Sequence, residues 1–166
     1  MTQIKVNSVN TTHGNIEFEQ TNPVASDFIQ RRIIMKHKIV YNDCYGGYAL
    51  SDKAIEWLSE HGSDKTKRFI AQKRLEANEK LKDYDSKAQV TADNTRKFYI
   101  MDAVRSFLKR HDTDLVAVVE ALGKEVNGTF SDLAIEEIDG DMYDIEEYDG
   151  KETVVTPDDI GWTVIS

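Results

Sequence analysis

The apolar positions of this chain change period along its length, and each change marks an element. Residues 38–42 (KIVYN) alternate weakly but are β-branched and aromatic, which predicts a strand over 37–42. Beyond it, Ala54, Ile55 and Leu58 share one helical face with Trp57 at its flank. Ser51 suits the N-cap of that helix, because its hydroxyl accepts from an otherwise unpaired backbone N–H. Asp52 suits the helix dipole, Leu50 and Ile55 sit at the two ends of a hydrophobic staple, and Gly62 is the stop. Residues 64–85 predict a second helix with a thin stripe of Phe69, Ile70, Leu81 and Tyr84, helped by Ala77. Residues 95–110 predict a third, with Phe98, Met101, Val104 and Leu108 at helical spacing. Residues 114–122 predict a fourth, with Leu115, Val118, Val119 and Leu122 on one face and Gly123 at its end.

The period then shortens. Residues 133–138, 143–148 and 152–155 are β-type runs, and Asp149-Gly150 between the last two is a hairpin turn, since both residues tolerate positive φ. The tail GWTVIS can add one more short strand. Upstream, IKVNSV and NIEFEQ are short β-type runs that can form a hairpin across Gly14, and TNPVASD reads as a loop around Pro23. The expected architecture is α+β, a single domain with a mainly antiparallel sheet and three to four helices. An N-terminal extension over 1–36 precedes a core over 37–166, which carries an inserted basic helical segment at about 64–110. No internal repeat and no Gly/Ser- or Pro-rich linker interrupts it.

Composition adds exclusions. A chain of 166 residues can bury a real core, and no apolar run approaches a membrane helix. The start MTQIKVNSVNTTHGN lacks a basic stretch followed by an apolar one, so no signal peptide is expected. One cysteine excludes an internal disulfide and a multi-cysteine zinc site, and fits a reducing compartment.

The net charge of −9 hides an asymmetry. Residues 65–110 carry 13 basic and 6 acidic side chains, whereas residues 111–166 carry 2 basic and 16 acidic. The simpler reading is two solvated faces of opposite sign that attract each other. The sharper reading is two functional surfaces. The basic one comprises Lys65, Lys67, Arg68, Lys73, Arg74, Arg96, Lys97, Arg105, Lys109 and Arg110, with Phe98 and Tyr99 interleaved. Cations on phosphates and aromatics on bases would suit RNA or DNA contact, although Phe98 also fits the apolar stripe of its own helix. The acidic one comprises Asp139, Asp141, Asp144, Glu146, Glu147 and Asp149. An EF-hand over it fails, because the sixth position from Asp139 is Asp144 where glycine is needed. Asp144 and Glu146 on one strand face could hold a divalent ion or do acid–base work, but a solvated face is the commoner cause and no metal is expected. The cluster could also present an acidic, nucleic-acid-like surface to basic proteins.

The stretch Cys44-Tyr45-Gly46-Gly47-Tyr48 with Ser51 is the remaining candidate. A reactive cysteine needs a base or a helix N-terminus close by, and none of the four histidines has a spacing that fixes it near Cys44. The glycine pair either lets backbone N–H groups approach a ligand or only permits a tight strand-to-helix turn; the turn is the favoured reading, since the nucleotide fingerprints are absent. Tyr45 and Tyr48 could flank a ligand or pack. No catalytic residue and no cofactor is assigned.

The blocks IVYNDCYGGYALS, DTDLVAVVEALGKEVNGTFSDLAIEEI and IEEYDG resemble a family of small proteins of bacteriophages and large DNA viruses for which no reaction is established. Tyr48 stands where phenylalanine is usual there, and the linker between the blocks is much longer here. The resemblance implies a viral protein acting in the cytoplasm of an infected bacterium. The expected function is then non-catalytic binding of a host protein or ribonucleoprotein during takeover or counter-defence. The alternatives are a small-ligand binder that sequesters a nucleotide-like signal through the Cys-Tyr-Gly-Gly turn, and a small enzyme using Cys44 or paired carboxylates.

Overall fold

A computed structural model of the protein describes residues 36–82, 89–159 and 161. The expected N-terminal hairpin and the strand in GWTVIS lie outside these residues. Strand β1 (Lys36–Asn42) leads through the glycine turn into α1 (Asp52–His61), followed by α2 (Asp64–Lys80), α3 (Gln89–Phe107) and α4 (Thr113–Leu122). A 3₁₀ turn at Gly123–Val126 leads to β2 (Leu133–Asp139), β3 (Asp144–Tyr148) and β4 (Lys151–Val155). The fold is α+β, as the patterning predicts.

Every described strand pairing is antiparallel, but the strands divide into two sheets. β2 pairs with β1 along its whole length, from Lys36 opposite Asp139 to Asn42 opposite Leu133. β3 and β4 form a separate hairpin whose turn residues, Asp149 and Gly150, take φ of 51° and 84°. Val40, Leu133 and Ile135 pack into the main core with α1, α3 and α4. Ile39 and Ile138 point the other way and meet Val154 and Ile145 of the hairpin. β1–β2 is therefore a middle layer between the helices and the hairpin. Burial on both faces explains why the sequence of β1 alternates only weakly.

The helix boundaries follow their caps. The Ser51 hydroxyl accepts from the Ala54 N–H at 3.2 Å, and Leu50 and Ile55 are both buried in the core. Gly62 ends α1, and its N–H donates to the Leu58 carbonyl. α2 is shorter than the pattern predicts, and α3 starts earlier, at residue 89, and stops at Phe107. The chain beyond α3 is drawn out of the helix because the Val40 N–H of β1 donates to the Arg110 carbonyl at 2.9 Å.

Phe98 departs from its expected place. Val104 and Leu108 are buried, but Phe98 is 68% exposed. At about 100° per residue it falls roughly 100° around the helix from the Val104–Leu108 line, too far to reach the core.

Asp114 fastens α4 to the start of α2. Its carboxylate accepts from the Ser63 N–H and from the Ser63 and Thr66 hydroxyls. Burial pushes this carboxyl up, but those hydrogen bonds and nearby Lys67 outweigh it and leave its pKa below the ordinary value. A depressed carboxylate stabilises fully above its unfolded-state pKa, and that stability is lost as pH falls through the folded value. Asp114→Asn is expected to cost about 1 kcal/mol at neutral pH, given its partial exposure. In urea titrations its midpoint should converge on that of the native chain as pH falls below about 4; a gap that persisted in acid would show that the charge contributes nothing.

Candidate functional site

Asn42, the last residue of β1, is fully buried and organises the turn that follows. Its Nδ2 donates to the carbonyls of Cys44 at 2.8 Å and Gly150 at 2.6 Å. Its Oδ1 accepts from the Asp132 N–H at 2.9 Å and from the Cys44 thiol at 3.4 Å. Asparagine at a strand end suits this work, because its short amide side chain reaches backbone groups just beyond it. The Asn42 N–H donates in turn to Glu152 Oε2 at 2.8 Å. One side chain thus joins the glycine turn to the start of β2 and to the hairpin turn, at partners 90 and 108 residues further along the chain.

The two glycines are needed for different reasons. A Cβ built on Gly46 would stand 1.7 Å from the Phe130 carbonyl oxygen, so this backbone approach excludes any side chain. Gly47 has open space around it but a φ of 87°, a region L-residues rarely adopt. The hairpin presses on the same point, since a Cβ on Gly150 would lie 2.5 Å from the Gly47 nitrogen. The glycine pair therefore seats two loops on the turn.

Cys44 contributes to the same packing. Its partly buried thiol shares one hydrogen between Asn42 Oδ1 at 3.4 Å and the Phe130 carbonyl at 3.3 Å. Ser51 caps α1 and also donates to the Glu125 carbonyl at 2.6 Å. Tyr45 is exposed, with Lys151 5.9 Å from its ring centre. Tyr48 is the reverse, with 6% of its surface exposed.

Above Tyr48 lies an ion pair that the sequence does not announce. The Arg110 guanidinium stacks on the Tyr48 ring, its Cζ 3.4 Å from the ring centre. Arg110 Nη2 donates to Glu152 Oε1 at 2.5 Å, with side-chain exposures of 22% and 7%. Arg105 joins from α3, donating through Nη1 to the Tyr48 carbonyl at 3.2 Å and through Nη2 to Asp102 at 2.8 Å. The Tyr48 hydroxyl and Arg110 Nη1 are buried and have no hydrogen-bond partner. A buried donor left unpaired costs about 1–3 kcal/mol, so each such atom calls for a reason. Burial pushes the Tyr48 hydroxyl up to about 12; the two arginines pull against that and Glu152 adds to it.

Successive residues of the turn border three concavities. Gly46 lines a groove of about 650 Å³ that runs between Phe98 and Met101 of α3 and Phe130. Phe130, like Phe98, stands mostly exposed. Gly47 and Tyr48 line a polar cavity of about 350 Å³ with Arg105, Arg110, Glu147 and Glu152. Tyr45 borders a shallower one of about 200 Å³ with Glu146, Tyr148 and Lys151.

The two charged segments behave differently. Five of the ten named cations form ion pairs: Lys73 with Glu76, Arg96 with Asp93, Lys97 with Asp52, Arg105 with Asp102 and Arg110 with Glu152. Arg68 donates to its own helix at the Asp64 carbonyl, and Lys65 lies 4.8 Å from the centre of the Phe107 ring. Arg74 borders a small hollow with Lys97, Lys67 is half-buried on α2, and Lys109 is exposed in the segment beyond α3. On the acidic side, Asp139, Asp141, Asp144, Glu146, Glu147 and Asp149 are all exposed. Asp144 and Glu147 accept backbone N–H groups, from Ile145 and Gly150. Among the described residues no group of three or more His, Cys, Asp and Glu side chains could hold a metal ion.

The chain matches no family model, no curated protein and no solved structure. No described helix is long and apolar enough to cross a membrane. Among the described residues the geometry offers surfaces and cavities.

Proposed function

We propose that the protein is a non-catalytic accessory protein of phage type. It binds a basic host protein, free or within a ribonucleoprotein, in the cytoplasm of an infected bacterium during takeover or counter-defence. The observation that carries this reading is the state of the hairpin. Its carboxylates Asp144, Glu146, Glu147 and Asp149 stand exposed, while half of the named cations of the helical segment are held in ion pairs. The outward field is therefore that of the acidic face, which attracts cationic partners and repels nucleic acid. RNA or DNA contact through residues 65–110 is the weaker reading for the same reason. The viral setting comes from the resemblance of the CYGGYALS, LVAVVEALG and EYDG blocks.

Affinity purification from nuclease-treated bacterial lysate tests the reading. The native chain should enrich a basic protein, and raised salt should release it. Asp144→Asn, Glu146→Gln and Asp149→Asn together should abolish the enrichment. Folding should be little changed, because surface substitutions usually fall within about 0.5 kcal/mol and asparagine tolerates the positive φ at position 149. Enrichment of the same protein by the triple variant would sink the proposal.

A further inference from the structure

We propose that the polar cavity beside Tyr48 binds a small ligand bearing an oxyanion, a phosphate or carboxylate group, held by Arg105, Arg110 and the Tyr48 hydroxyl. The polar atoms around the cavity differ in which are already satisfied. Both oxygens of Glu152 are occupied, one by Arg110 Nη2 and one by the Asn42 N–H. Glu147 Oε1 holds the Gly150 N–H. The groups left over are donors: Arg110 Nη1 and the Tyr48 hydroxyl, both buried and without a partner. A wall whose buried acceptors are used and whose buried donors are free fits an acceptor, with Glu147 at its exposed edge. The two guanidinium groups of the wall are matched by Glu147 and Glu152, so it is the unpaired Arg110 edge that selects an acceptor carrying negative charge.

The donors are held in place for this task. Arg110 is fixed on one side by Glu152 and on its face by the Tyr48 ring, so its free edge is set before any ligand arrives. Tyr48 is protonated at neutral pH, as any phenol with the ordinary value of 10.0 is, and burial moves it further from ionising. Arg105 approaches from the more exposed side, where Asp102 holds its other nitrogen. The volume of about 350 Å³ suits a metabolite-sized body. Glu147 on the wall faces that body and favours one with hydroxyl or amine donors.

The test is an ¹⁵N NMR titration of the full chain with four probes: inorganic phosphate, adenosine 5′-monophosphate, acetate and L-glutamate. Saturating shifts are expected at the Arg105 and Arg110 Nε–Hε groups and at the Gly47 and Gly150 amides. The arm that saturates at lower concentration, phosphate or carboxylate, identifies the source of the oxyanion. Tyr48→Phe keeps the ring under Arg110 and removes the hydroxyl alone. It should weaken the saturating probe about tenfold while leaving the melting temperature of the ligand-free chain unchanged or raised. Arg105→Gln, at a half-exposed position, should weaken the probe by a similar factor. Three results would overturn the proposal: no saturating shift from any probe, affinity unchanged in both variants, or a lowered melting temperature in ligand-free Tyr48→Phe, which would mean that the hydroxyl already has a partner.

Discussion

Gly46→Ala is expected to lower stability by at least about 3 kcal/mol, or to prevent folding, whereas Gly47→Ala next to it costs only about 1–2 kcal/mol. At Gly46 the added methyl would meet the Phe130 carbonyl oxygen and carbon at 1.7 and 2.6 Å. That obstacle is backbone, so no rotamer change relieves it. The 128–132 loop would have to move, and with it the Phe130 carbonyl that accepts from the Cys44 thiol and the Asp132 N–H that donates to Asn42. At Gly47 the added methyl meets nothing, and the cost is the positive φ alone. Urea denaturation of both variants measures the contrast. If Gly47→Ala proved the worse of the two, the turn would be held by its dihedral angles rather than by the loop packed on it.

Glu152→Ala is expected to cost about 3–5 kcal/mol, because it leaves Arg110 charged, largely buried and without its partner. It also frees the Asn42 N–H, a buried donor at the end of β1. The loss is more than that of one pair: Glu152 is one of the links from the hairpin to β1, beside the Gly150 carbonyl held by Asn42 and the Ile39, Ile138 and Val154 cluster. The double variant Arg110→Met, Glu152→Leu should recover a good part of the stability, since two apolar side chains of similar size remove the unpaired charge. A thermodynamic cycle over the two single variants and the double one isolates the coupling. Strictly additive losses would show that Arg110 and Glu152 do not act as a pair.

The elements of this fold were legible because they are written locally. Ser51, Leu50 and Ile55 mark the start of α1 within five residues, and Asp149-Gly150 marks the hairpin turn in two. The organisation of the site was not local. Asn42 touches Asp132 and Gly150, and Glu152 finds its cation 42 residues upstream, so no window of sequence contains either relation. Glu152 in the run Lys-Glu-Thr-Val-Val reads as one more outward acid. Asn42 did carry a signal, a short amide side chain directly before a glycine turn, but that signal names no partner. Arg105 and Arg110 were visible as cations of a basic segment, yet their positions at the inner end of α3 and just beyond it, facing Tyr48, follow from packing alone. Phe98 shows the opposite error: its spacing satisfied the helical stripe while its angular position left it in solvent.

The molecule divides into a packed hub and an exposed acidic hairpin, with the proposed partner binding assigned to the hairpin. A photo-crosslinking residue placed at position 146, and separately at position 68 on α2, tests that assignment in bacterial lysate. Crosslinks from position 146 to a basic protein, with none from position 68, are the predicted result; crosslinks to RNA or to protein from position 68 alone would contradict it.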